Sequence, residues 1–342
     1  MFGSISSALF AYGTSIEYLS IHSIDFTYIK LGILTGDLNF ITTLYAVLLV
    51  CILSAYLYKL ALFPFHLVLP DVYQGISWAT IGLLNIGVKL PIGFHLFYFW
   101  NLHFIHPVWV ERTSMLLLLS GLISVIIGCI GALTQGSLKR FMGYASINQM
   151  GFMILGLGCN NYIGLQASMF YLIIYIWSLL VFSIALTREN SENWYLIDLV
   201  FGDNVSKSLL TLVIFSMGGL PPLVGFISKY FIWVSLTDEL MSSYNNYWTL
   251  YAAVIVTILI VTMITSVIST FYYLRFIKIM WFTPTRRYFQ TRDFREAVYA
   301  HGWITILVVF PLLGWPLFIH CIGRFFNYWS FVCCFSEKYL LS

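Results

Sequence analysis

The chain has 342 residues, of which 60% are hydrophobic and only 9% are charged, and its formal net charge is +3. A soluble globular domain carries about 25% charged residues, so this composition excludes a soluble fold. It predicts an all-α protein that crosses a membrane several times. No low-complexity linker divides the sequence, and residues 1–342 are therefore expected to form a single transmembrane domain.

The sequence offers no pattern for a metal centre or a nucleotide site. Its six cysteines show neither the CxxC spacing nor the Cys/His spacing of a metal site. A Walker motif and a GxGxxG turn after a strand are both absent from the sequence. We therefore expect neither a metal nor a cofactor on this chain.

Apolar stretches long enough to span a bilayer, which takes about 20 residues, occur along the chain. Some exceed one membrane thickness, and these must tilt, break or extend into water. The sequence predicts nine spans, at 1–20, 39–67, 74–102, 113–135, 138–158, 161–187, 208–237, 247–282 and 300–322.

Lysine and arginine are distributed unequally between the two sides that these spans define. The positive-inside rule assigns the more basic side to the inner compartment, and the C-terminus then faces outward. The inner side carries Lys139, Arg140, Arg188, Lys207, Arg286, Arg287, Arg292 and Arg295, against Lys30, Arg112, Arg324 and Lys338 on the other.

The stretch 283–299 mixes arginines with aromatic residues beside two spans. Nucleic acid would fit this composition, but the position next to the bilayer favours anionic lipid headgroups such as those of cardiolipin. The predicted lipid contacts are Arg286, Arg287, Arg292 and Arg295, and we expect no nucleic-acid partner.

Three lysines, Lys59, Lys89 and Lys229, fall inside predicted spans. A charged group at bilayer depth costs about 2.5–3.5 kcal/mol on insertion scales, so its presence points to a function. The structural alternative is that each side chain extends along its helix to the interface and keeps its ammonium group in water.

Each of these lysines lies close to residues that break helices. Proline removes a backbone hydrogen bond, and unpaired backbone at membrane depth is tolerated only inside protein or beside a hydrated cavity. Pro64 follows Lys59 by five positions, and Pro91 follows Lys89 by two. The breakers before Lys229 are Gly218, Gly219, Pro221, Pro222 and Gly225.

Three lysines in hydrated breaks predict a proton relay. Burial disfavours the charged form of a lysine, which makes its proton easier to release. His66, seven residues after Lys59, would lie two helical turns along the same face and titrates near neutral pH. A histidine at a helix end is the structural alternative for His66, and His95 is a weaker candidate of the same kind.

Four segments, in order, resemble chain 2 of NADH:ubiquinone oxidoreductase, an antiporter-like membrane subunit of respiratory complex I. They are KLALFPFHLVLPDVYQG, SLKRFMGYASINQMGFMILGLG, MGGLPPLVGFISKYFI and SVISTFYYLRFIKIMWF, and Lys89 takes the family's next-helix lysine position. Asp71 and Tyr73 belong to the first segment, and Lys139, Arg140 and Tyr144 to the second.

The resemblance implies two inverted five-helix repeats, each with a broken helix, around a central hydrated axis. It implies that Lys59 is a first-channel lysine paired with a glutamate. Lys89 would be the connecting lysine, and Lys229 the lysine that exchanges protons with the outside.

Three departures from the family pattern bear on these roles. Gln149 stands where the family has a histidine, and residues 76–79 differ from the family's turn. The helices before the family's sixth, one of which carries the pairing glutamate, have no counterpart here. Glu17 lies too late in the sequence to replace it and is expected at the interface. We therefore expect a separate polypeptide to supply the first helices of the fourteen-helix plan and that glutamate.

The function that the resemblance implies is proton translocation in the membrane arm of complex I, in the mitochondrial inner membrane. The basic loops would face the matrix and the C-terminus the intermembrane space. Other subunits, the partners of this chain, would hold NADH, FMN, the iron–sulfur clusters and ubiquinone. The alternatives are a cation/proton antiporter subunit of related fold and a membrane-arm subunit that does not pump.

Overall fold

In the computed structural model, residues 2–21, 38–103, 107–188, 204–221, 223–245 and 249–282 are described, and they are helical with short connections. The helices are α1 (Phe2–Ile21), α2 (Leu38–Lys59), α3 (Val68–Gly75), α4 (Trp78–Leu84), α5 (Leu90–His103), α6 (Pro107–Thr134), α7 (Leu138–Gly158), α8 (Tyr162–Arg188), α9 (Asn204–Gly218), α10 (Val224–Asn245) and α11 (Thr249–Phe282). A π-helical turn, Asn85–Lys89, joins α4 to α5.

Helices occupy eight of the nine predicted spans, and the ninth, 300–322, lies outside the described residues. Within the described ranges, four helical stretches are long and apolar enough to cross a membrane: Trp78–Trp100, Thr113–Thr134, Tyr162–Thr187 and Tyr251–Phe282. The all-α membrane fold is thus confirmed, and the number of spans stays a prediction.

Two predicted boundaries are wrong. The span at 39–67 ends as a helix at Lys59, and residues 60–67 form turns, in which Ala61 has a φ of 57°. The PDVYQG motif forms its own short helix, α3, before the next long helix begins. Ser77 caps that next helix, because its hydroxyl accepts a hydrogen bond from the Thr80 amide.

Helices α6 and α7 pack with their backbones close together. A Cβ atom at position 128 would lie 2.5 Å from the backbone nitrogen of Asn148, and one at position 151 would lie 3.0 Å from the Gly121 carbonyl oxygen. Small residues allow such approach between membrane helices, where dispersion contacts replace the hydrophobic effect as the driving force. This pair forms the rigid centre against which α8, α10 and α11 pack.

The short helix α3 is held against α7 in two ways. Gly143 leaves room for Pro70, whose Cα atom would lie 2.8 Å from a Cβ at position 143. Arg140 also donates a hydrogen bond to Asp71, with 2.6 Å between Nη2 and Oδ1. Both side chains of this ion pair are exposed, so close packing holds α3 more than charge does.

Helices α1 and α2 lie at one edge of the described bundle. They pack extensively on each other, and α2 also contacts α5. The main core instead lies among α6, α7, α8, α10 and α11, whose facing side chains are almost fully buried. Lys59 is therefore at the edge of the bundle, and Lys229 is at its centre.

Candidate functional site: buried lysines joined by a polar cavity

Lys89 is 4% exposed and lies in a built polar pocket. Its Nζ atom donates to the Tyr73 hydroxyl at 3.2 Å, and it lies 5.4 Å from the centre of the Tyr175 ring. The Tyr73 hydroxyl in turn donates to Asn85 Oδ1 at 2.8 Å. Asn85 is oriented by its own bond to the Ile81 carbonyl, so the pocket fixes the Tyr73 oxygen as an acceptor for Lys89.

The backbone at Lys89 is widened and does not break. Pro91, predicted to interrupt this helix, is the second residue of α5, and the helix continues through it. The five residues Asn85–Lys89 form a π-helical turn directly before it. A wider turn accommodates a residue that has no N–H group, and such turns are frequent at functional sites.

Lys229 is 2% exposed and lies beside the break between α9 and α10. Its Nζ atom donates to the Gly218 carbonyl at 3.1 Å and to Ser269 Oγ at 3.5 Å. The ammonium group also lies 5.2 Å from the centre of the Phe152 ring. The side chain therefore points into the bundle and does not extend to the membrane surface.

The break that serves Lys229 is a Schellman turn at the end of α9. Gly219, with a φ of 78°, donates to the Ser216 carbonyl, and Leu220 donates to the Phe215 carbonyl. Glycine adopts this left-handed conformation without steric cost. The turn pairs the carbonyls of Phe215 and Ser216, and the Gly218 carbonyl accepts a hydrogen bond from Lys229 instead. This places the ammonium group at the negative end of the helix dipole.

Gln149 satisfies the preceding free carbonyl. Its Nε2 atom donates to the Met217 carbonyl at 2.9 Å and to the Tyr273 hydroxyl at 3.3 Å. Its Oε1 atom accepts a hydrogen bond from the Tyr171 hydroxyl. At this position the resemblance implies a histidine, and the glutamine here connects α7 to α8, α9 and α11.

A narrow polar cavity adjoins both lysine sites. Tyr175, which Lys89 faces, lines one part of it, and Lys229 lines another. Polar side chains from four helices reach it, so the space can hydrogen-bond water. The polar lining residues are Gln149, Tyr171, Tyr175, Ser178, Ser216, Ser228 and Lys229.

Lys59 has a more open setting, as a half-buried residue at the C-terminus of α2. Its Nζ atom lies 5.6 Å from the centre of the Phe10 ring, which also packs against Tyr56 and His95. Tyr56 and His95 form a hydrogen bond, and the Lys59 charge acts on His95. Glu17 is buried on α1 and interacts electrostatically with Tyr56.

The predicted geometry of His66 is wrong. Because α2 ends at Lys59, His66 does not lie two helical turns along the same face. It is a buried residue in the turns after α2, where its ring stacks on that of Phe63. Its place in the proton relay stays a prediction.

The remaining predicted residues lie at separate places in the chain. Lys139 is buried near the start of α7, and the Tyr144 ring fills the space that Gly131 leaves on α6. Pro221 is exposed in the turn before α10. The others, Pro222, Arg286, Arg287, Arg292 and Arg295, lie outside the described residues.

The sequence contained an unused signal for the cavity. Along α8, the residues Ser168, Tyr171, Tyr175 and Ser178 recur at intervals of three and four, which places their polar groups on one helical face. Asn85 is a similar case, because it lies four residues before Lys89 within an apolar stretch. Ser269 gave no signal, since it reaches Lys229 only through tertiary packing.

A family model described as "NADH:quinone oxidoreductase/Mrp antiporter, TM" matches residues 1–261. The chain belongs to this family. Membership confirms the resemblance to the antiporter-like subunits of complex I and the all-helical membrane fold. Helices end at Lys59 and before Lys229, as broken helices would, and the inverted repeats and the hydrated axis stay predictions.

Individual relatives agree with the family. NADH-quinone oxidoreductase subunit N from Francisella tularensis subsp. holarctica is 32% identical over 289 residues, covering 82% of this chain and 56% of the relative. NADH-ubiquinone oxidoreductase chain 2 from Marchantia polymorpha is 27% identical over 270 residues, covering 77% and 52%.

Among solved structures, a chain of respiratory complex I from Thermus thermophilus superposes with a TM-score of 0.67 at 26% identity. The match covers 92% of this chain and 66% of that one. The chain thus spans between about half and two thirds of the length of these proteins.

Proposed function

We propose that this chain is a proton-translocating membrane-arm subunit of a respiratory NADH:quinone oxidoreductase, complex I. The observation that carries the proposal is that Lys89 and Lys229 are both deeply buried, with Lys229 lining a polar cavity and Lys89 facing Tyr175, another residue of that lining. Maintaining two ammonium groups at such depth is costly, and polar contacts built around each would serve proton transfer.

In this proposal, a proton that leaves Lys89 enters the cavity beside Tyr175 and reaches Lys229. Tyr73 stabilises the charged form of Lys89, because its hydroxyl accepts from Nζ while donating to Asn85. Gly218 and Ser269 do the same for Lys229. Each site can therefore hold a proton, and water in the cavity would carry it between them.

The redox groups, NADH, FMN, iron–sulfur clusters and ubiquinone, are proposed to be bound by other subunits. Electron transfer would then act on this chain through changes in electrostatic potential along the lysines. We further propose the mitochondrial inner membrane as the location, with the basic loops toward the matrix. A separate polypeptide that supplies a glutamate for Lys59, and lipid binding at 283–299, stay predictions.

The test is Lys229→Met in the assembled complex. Methionine keeps the length and much of the volume of lysine but cannot carry a proton. We expect the complex to assemble and the number of protons pumped per NADH oxidised to fall, as measured with a pH-sensitive dye in proteoliposomes.

Lys278→Met is the matched control, since Lys278 is an exposed lysine on α11. It makes the same chemical change outside the cavity and should leave the ratio unchanged. An unchanged ratio in Lys229→Met, with normal assembly, would reject the relay. It would leave a non-pumping membrane-arm subunit as the better account.

A further inference from the structure

A buried carboxylate, Glu239, lies on the same helix as Lys229 and has no role in the cavity. Glu239 is 7% exposed, and its Oε1 atom accepts a hydrogen bond of 3.1 Å from the Tyr251 hydroxyl on α11. Its neighbour Asp238 is exposed. The chain therefore buries one of two adjacent carboxylates and leaves the other in contact with the surroundings.

Glu239 and Lys229 share one face of α10. They are ten residues apart, and Ile232 and Leu236 lie between them at intervals of three and four and are fully buried. Ten residues of α-helix correspond to about 15 Å. The Glu239 carboxylate is therefore in a position to end a proton route that begins at Lys229.

Hydroxyl groups on α11 cover part of this distance. Ser269, the partner of Lys229, is followed toward Tyr251 by Ser266 and Thr262, all of them buried. Each hydroxyl donates to a carbonyl of its own helix, which leaves its oxygen free to accept. Two buried isoleucines, Ile258 and Ile255, separate Thr262 from Tyr251 and form one apolar layer in the route.

Polar groups from three other elements meet around Glu239 and Tyr251. Ser114 of α6 is a hydrogen-bond partner of Tyr251. The Cys159 thiol, at the end of α7, interacts with Glu239 electrostatically, and Asn161 donates to the Ser235 carbonyl on α10 at 3.2 Å. The carboxylate is thus held in a polar setting at one end of the bundle.

That end is opposite to the basic one. Arg275, near the other end of α11, donates to the Leu133 carbonyl at the end of α6, and Arg140 lies near the start of α7. In the described residues, the Glu239 end carries Asp238 and Glu239, and Glu111 and Arg112 lie near the start of α6 at the same end. Under the positive-inside rule, Glu239 faces the compartment into which protons are released.

We infer that Glu239 is the proton-exchanging group between Lys229 and the outer aqueous phase, with Tyr251 as its positioning residue. A proton from Lys229 would pass along the α11 hydroxyls and through the apolar layer when water enters it, and would bind the Glu239 carboxylate. Glu239 would then release it to the outer aqueous phase. The inference rests on the proposed function, because it gives the Lys229 relay its outlet.

The experiment compares Glu239→Gln, Glu239→Asp and Asp238→Asn in the assembled complex. Glutamine keeps the oxygen that accepts from Tyr251 but cannot exchange an acidic proton, so we expect the proton-to-NADH ratio to fall. Aspartate keeps the carboxyl group and should retain part of the ratio. Asp238→Asn, the neighbouring exposed carboxylate, should pump as the unmodified complex does.

A purely structural role for Glu239 predicts the reverse pattern. Glu239→Gln would then pump normally, and the shorter aspartate, which disturbs the Tyr251 bond, would be the more damaging variant; either result overturns the inference. If Lys229→Met loses pumping while Glu239→Gln does not, only this inference fails. If Lys229→Met pumps normally, the proposed function fails first.

A second measurement applies if Glu239→Gln does not assemble. Dicyclohexylcarbodiimide, an apolar reagent that adds to protonated carboxylic acids, is applied to the unmodified complex and the modified peptide is identified by mass spectrometry. Modification of Glu239 together with loss of pumping supports proton exchange at this site. An unmodified Glu239 under conditions that modify other buried carboxyl groups overturns it.

Discussion

Lys229 and Lys59 differ in how closely the described residues enclose their ammonium groups. Lys229 is enclosed by a helix-end carbonyl, a serine hydroxyl and an aromatic ring, all from the described residues. Lys59 is half-buried at the edge of the bundle, where its ammonium group faces Phe10 and acts on His95.

The polar contacts of the two regions also differ in kind. Around Lys229, Gln149 and the lysine itself satisfy carbonyls that the α9 turn leaves free, so backbone and side chains depend on each other. Near Lys59, Tyr56 and His95 form a hydrogen bond between two side chains, and His95 is exposed. We therefore expect substitutions to lower stability more in the enclosed region around Lys229 than at the edge around Lys59.

The largest effect is expected for Gln149→Leu. Leucine removes partners from the Met217 carbonyl and the Tyr171 and Tyr273 hydroxyls, and each buried polar group left unpaired costs about 1–3 kcal/mol. We expect thermal inactivation of the complex at clearly lower temperature and reduced pumping.

Gln149→His is the control for this change. It restores a donor at this position and should recover most of both properties. Leucine at 149 without loss of stability or pumping would mean that the enclosed region does not depend on this side chain.

A smaller effect is expected for Tyr73→Phe beside Lys89. The substitution keeps the ring but removes the oxygen that accepts from Lys89 and the donor to Asn85. Loss of a hydrogen bond to a charged group costs about 1.5–3 kcal/mol. We expect slower proton pumping with near-normal assembly, measured against Tyr144→Phe, a half-buried tyrosine outside this pocket. Equal rates in both variants would contradict the role of the Tyr73 hydroxyl.

The smallest effect is expected for Tyr56→Phe at the edge. It removes one hydrogen bond to a histidine that keeps its ring contact with Phe10, so the cost should be about 0.5–1.5 kcal/mol. Thermal inactivation should shift by less than in Gln149→Leu. A shift as large as that of Gln149→Leu would show that the edge is as tightly built as the centre and would remove the contrast.

The sequence was sufficient for the lysines and for two of the three helix breaks, because charge in an apolar stretch and proline or glycine beside it are local signals. It placed the break before α10 correctly, and Pro64 marked the turns after α2, although the predicted span ran to residue 67 and the helix ends at Lys59. Pro91 was misleading, since a π-helical turn at Asn85–Lys89 accommodates it without ending the helix. Local composition does not distinguish a widened turn from a break.

The partners of the lysines were harder to predict. Gly218 and Ser269 are eleven and forty positions from Lys229 in the sequence. They contact it only because of how α9 and α11 pack. Gln149 was identified only as a departure from a histidine, although its hydrogen bonds to three other helices make it structurally central. The expected interfacial position of Glu17 did not anticipate its burial against α2.

The most direct test of a single route through the cavity compares Lys89→Met, Lys229→Met and the double variant. In each, the number of protons pumped per NADH oxidised is measured in proteoliposomes under identical conditions. If the two lysines act in series, both single variants lose the same share of pumping and the double variant loses no more. A double variant that pumps less than either single one would show two independent routes and contradict the account.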